Sequence, residues 1–165
     1  MADLVARSAG ALWRRLWSSP LLTLHGWVAF NLPRTVTALG AALLTGLVAV
    51  HVSVLITGSN LARYFAAYVL VLAAVCLVAG ALMVGSKPAV AQAGWCLGSA
   101  ACAAFLALYV ATRWVSLPGL GAVTARWDFA PGTFGMACAA GFLAVHATVL
   151  SGINVAYPQL RQWHD

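Results

Sequence analysis

The chain has 165 residues, 63% of them hydrophobic and only 7% charged, against roughly 25% charged in a soluble domain. That length accommodates one domain and excludes a soluble second one. The formal charge of +6 does not indicate nucleic acid, because the basic residues sit at the ends of apolar segments and form no continuous patch. Such placement suits membrane topology and anionic headgroups.

Residues 2–19 predict an amphipathic helix. At about 100° per residue, Val5, Ala6, Ala9, Leu12, Trp13, Leu16 and Trp17 share one arc, with Arg7, Arg14 and Arg15 on the other. A helix of this kind lies in the plane of the interface, its Trp rings among headgroups and its Arg side chains on phosphates. Trp13, Arg14, Arg15 and Trp17 are therefore candidate interface residues. A signal peptide is the rival reading. It is disfavoured because the first long apolar run begins near residue 35 and no small-x-small cleavage site follows. Residues 21–32 are apolar but too few to span, and Pro20 and Pro33 bracket them, so they predict an interfacial or partly re-entrant piece.

Four charge-free stretches follow, at 35–62, 64–86, 88–112 and 129–160, holding 28, 23, 25 and 32 residues. A hydrocarbon core of roughly 30 Å needs about 20 helical residues, so each is long enough to cross a bilayer. The turn signals divide them into helices at 35–57, 61–84, 88–114 and 132–157. Gly58-Ser59-Asn60 and Gly85-Ser86-Lys87-Pro88 make short turns, and Pro88 suits the first position of the third helix. A longer loop spans 115–131, and Pro158 stops the fourth helix. The expected fold is an all-α integral membrane protein: a four-transmembrane-helix bundle (35–157) with an N-terminal amphipathic interfacial segment (1–34) and a short tail (158–165).

Basic residues orient such a bundle. Arg7, Arg14, Arg15, Arg34, Lys87 and Arg161 fall on one side, and Arg63, Arg113 and Arg126 on the other. The excess predicts both termini in the cytoplasm, in a cell inner (plasma) membrane.

Ionisable groups within spans are costly and are functional candidates by default. Only His51 and His146 qualify, and the spans hold no Asp or Glu. One reading is a small redox protein with haem b or a quinone bound at His51 and His146. Two axial ligands need similar depth, and the predicted helix ends leave them roughly 7–8 Å apart. The other reading makes each imidazole interhelical glue, bonded to a hydroxyl or carbonyl, with Thr45, Ser53, Thr148, Ser151 and Asn154 near in sequence. Cys76, Cys96, Cys102 and Cys138 make no metal-binding spacing and read as packing residues. Gly94 and Gly98 form a GxxxG on the third helix, with Cys102 extending the small face. This favours close helix approach, within the bundle or against a partner.

The run Tyr109-Val110-Ala111-Thr112-Arg113-Trp114-Val115-Ser116-Leu117-Pro118-Gly119, followed by Trp127-Asp128, resembles a pattern in small four-helix bacterial membrane proteins. Those proteins carry a Y-x-x-[ST]-R-x-x-G-L-P-G-like motif after helix three and a His late in helix one, here His51. Ser116 stands where that pattern has Gly, and an acidic residue expected in helix four is absent. The resemblance implies no activity. Within it, Arg113 and Trp114 would anchor helix three at the interface, and Asp128 would pair with Arg113 or Arg126.

No nucleophile has a base and acidic orienter at one membrane level, and phosphate-binding and zinc-protease patterns are absent. The expected role is non-catalytic: an accessory or stabilising subunit of a larger membrane complex, such as a respiratory one. The bilayer and other membrane subunits would be its partners, with no resident cofactor. The rivals are the redox protein and a homo-oligomeric transporter.

Overall fold

The computed structural model describes residues 32–58, 63–115 and 130–157. They form four helices: α1 (Pro33–Thr57), α2 (Arg63–Met83), α3 (Pro88–Trp114) and α4 (Ala130–Leu150). Each is long and apolar enough to cross a membrane. The predicted amphipathic helix at 2–19, with Trp13, Arg14, Arg15 and Trp17, lies outside the described residues. So do Trp127, Asp128 and the tail at 158–165.

Proline sets two of the starts. Pro33 and Pro88 occupy the first turns of α1 and α3, where a missing N–H costs no intrahelical bond and the fixed φ is already helical. Between α2 and α3 the chain turns within a few residues. The Gly85 N–H donates to the Leu82 carbonyl, and the Val90 and Ala91 N–H groups donate to that of Lys87.

Each helix runs antiparallel to its neighbours in an up-down-up-down ring, α1 beside α2 and α4, α3 beside α2 and α4. The register is visible where glycines meet large side chains. Gly98 faces Phe142 and Gly135 faces Phe105 across α3 and α4, while Gly46 faces Cys138 and Gly141 faces Leu43 across α1 and α4. Leu47, Ala79, Met83, Cys102, Ala139 and Phe142 fill the centre.

The fourth helix is shorter than its apolar run. The sequence predicts helix to Tyr157, but α4 stops at Leu150. Gly152 takes φ 75°, a left-handed conformation that glycine adopts without the Cβ clash. The Gly152 N–H then donates to the Val149 carbonyl and the Asn154 N–H to that of Thr148. The Asn154 amide also donates to Thr148 Oγ1 at 2.9 Å. Hydropathy cannot reveal this stop, because the residues beyond it remain apolar.

The chain then folds back onto the first turns of α1. The Tyr157 N–H donates to Thr37 Oγ1 at 3.0 Å, and Ala156 is buried. Thr37→Val removes the acceptor while keeping the shape. A net loss of about 1 kcal/mol should speed hydrogen exchange of the Tyr157 amide about fivefold, with the α3 amides unchanged.

Candidate functional site

The two histidines lie in different halves of the bundle. His51 packs edge-on against Phe105 of α3, with ring centroids 5.0 Å apart. His146 stacks on Trp95 of α3 at 5.5 Å and is bonded to Ser99. Phe105 and these α3 partners are six to ten residues apart, about 9–15 Å along the axis at about 1.5 Å per residue. The α3 partners of the two histidines therefore lie at different depths, and α4 ends at Leu150, four residues beyond His146 and not the eleven expected from the sequence.

His51 occupies the end of the bundle where α1 finishes. Its Nδ1–H donates to the Leu47 carbonyl at 2.7 Å. A carbonyl only accepts, so in the neutral ring Nε2 is the acceptor, and the Tyr68 hydroxyl donates to it at 3.3 Å. The imidazole thus ties α1 to α2. Further out, Phe105 and Tyr109 continue the aromatic layer on α3. The Arg113 guanidinium lies over the Tyr109 ring, 4.0 Å from its centroid. The reading of Arg113 and Trp114 as a joint interfacial anchor divides here: Arg113 is 6% exposed and turned inward, and Trp114 is 75% exposed. Neighbouring helix positions diverge by about 100°, so one can face the core while the other faces out.

Tyr68→Phe would leave His51 Nε2 without its hydroxyl. Such interhelical bonds average about 0.6 kcal/mol in membranes, so unfolding in mixed micelles should show a loss of about that size. His51→Leu removes both bonds and the edge contact with Phe105, and should cost more.

At the opposite end, Trp95 is the central side chain. It is 2% exposed and lies nearly parallel to Phe142 and His146, at 25° and 27°. Phe142 and His146 are one helical turn apart on α4, so one indole covers both rings. The glycine at position 40 lets the indole edge approach α1, since a Cβ there would lie 2.6 Å from the ring. Ser99 Oγ and His146 Nδ1 are hydrogen-bonded at 2.5 Å, joining α3 to α4.

Beside this stack lies a half-open cavity of about 210 Å³. Its walls are Pro88, Ala91, Gln92 and Trp95 of α3, His146, Val149 and Leu150 of α4, and Ala156 and Tyr157 of the returning chain. Positions 88, 91, 92 and 95 follow helical spacing, so a single face of α3 lines the cavity.

Sequence reasoning missed Ser99 and Tyr68, the side chains that bond the two histidines. Ser99 was findable as the lone serine of the third apolar stretch. The hydroxyls nominated instead, on Thr45, Ser53, Thr148 and Ser151, bond back to carbonyls of their own chain segment, a common fate of Ser and Thr in helices. Gly94 and Gly98, candidates for a partner surface, are buried inside the bundle. Gly94 abuts the backbone of α2, and Gly98 abuts Phe142. Cys76, Cys102 and Cys138 are buried, and Cys96 is exposed. Among the described residues no group of three or more His, Cys, Asp or Glu could hold a metal ion. Comparison of the chain with protein-family models, with curated proteins and with solved structures returned no match.

Proposed function

We propose that this protein is a non-catalytic polytopic subunit of the plasma membrane, which packs beside a larger membrane complex and stabilises it. One observation carries the reading. Both imidazoles of the spans are engaged in helix–helix bonds within the bundle, His51 with Tyr68 and His146 with Ser99. What the bundle offers its surroundings is apolar surface. Leu70, Val71, Leu77 and Val78 of α2 are 51–72% exposed, and recur at about two helical turns, forming one outward stripe. Such a stripe suits lipid or a partner helix. The excess of basic residues assigns the end bearing the α1 start and the Trp95 cavity to the cytoplasm.

Affinity purification in a mild detergent, with quantitative mass spectrometry, tests the reading. Co-purification of one larger membrane protein at a fixed ratio is expected, and substitution of Leu77 by Trp should lower the yield of partner. A protein that emerges alone under all mild detergents and after in-membrane crosslinking would sink the proposal.

A further inference from the structure

We draw no further inference here: the strongest candidate, the half-open cavity between the first turns of α3 and the end of α4, lined by Gln92, His146 and Tyr157 among others, carries nothing because the Trp95 indole nitrogen beside it is sealed within the bundle and nothing in the structure shows what would occupy it.

Discussion

Gly94→Ala is expected to destabilise the bundle by about 2–3 kcal/mol, the upper part of the range for overpacking a close-packed site. A methyl group on Gly94 would lie 2.6 Å from the Met83 backbone nitrogen, 2.7 Å from the Ala79 carbonyl oxygen and 2.9 Å from Leu82 Cβ. Two of these atoms are main chain and the third is fixed to it. None can rotate away, so α2 and α3 must separate. That separation loosens a whole helix pair held by dispersion, since lipid supplies no hydrophobic drive between helices. Gly80→Ala on the facing helix is the control. No atom lies within 4 Å of the added carbon, so stability should stay within about 0.5 kcal/mol. Unfolding of both variants in mixed micelles decides the matter. Equal effects would mean that α2 and α3 do not meet at Gly94.

Phe142→Ala carries the second large effect. Its ring is fully buried, stacked on Trp95 at 5.2 Å, and fits the space left by the absent side chain at Gly98. In a water-soluble core such a truncation costs about 3–5 kcal/mol, combining transfer from water with the void left behind. In a bilayer the unfolded helices remain in hydrocarbon, so the transfer part largely vanishes and the void remains. A void of on the order of 100 Å³ at about 24 cal/mol per Å³ gives about 2–3 kcal/mol. Phe134→Ala, on the same helix but 57% exposed, should change stability by less than about 0.5 kcal/mol. The contrast separates packing inside the bundle from contact with lipid. Removal of Phe142 should also release the Trp95 ring, blue- or red-shifting its emission relative to the parent.

These two sites also show where sequence reading stops. The spacing of Gly94 and Gly98 signals a face for close approach, but a GxxxG does not name the helix that approaches. In the folded chain the two glycines, one turn apart, serve different neighbours, α2 and Phe142 of α4. Arg113 and Trp114 make the same point. Adjacent in sequence and both amphipathic, they read as one anchor, yet the helix turns one onto Tyr109 and the other outward. The composition of the charge-free runs marks His51 and His146 as the histidines to examine, and both are buried in the bundle. Their partners, Tyr68 and Ser99, are 17 and 47 residues away in sequence, and no local pattern connects them.

What the sequence by itself determined, among the described residues, is the four helices long and apolar enough to cross a membrane and the tight turn between α2 and α3. These follow from the length of charge-free runs, the bilayer thickness and the local effects of Pro and Gly, all of which act over a few residues. The end of α4 is the exception, because a left-handed glycine can stop a helix inside an apolar run that still satisfies every hydropathy criterion. Only the tertiary structure decided that the two imidazoles sit in different halves, that Trp95 lies across Phe142 and His146, and that a cavity opens beside it. Those facts depend on the vertical register between antiparallel helices. Register is set by which small residue admits which large one, and the steric fit between distant segments has no periodic signature in a chain so uniformly apolar.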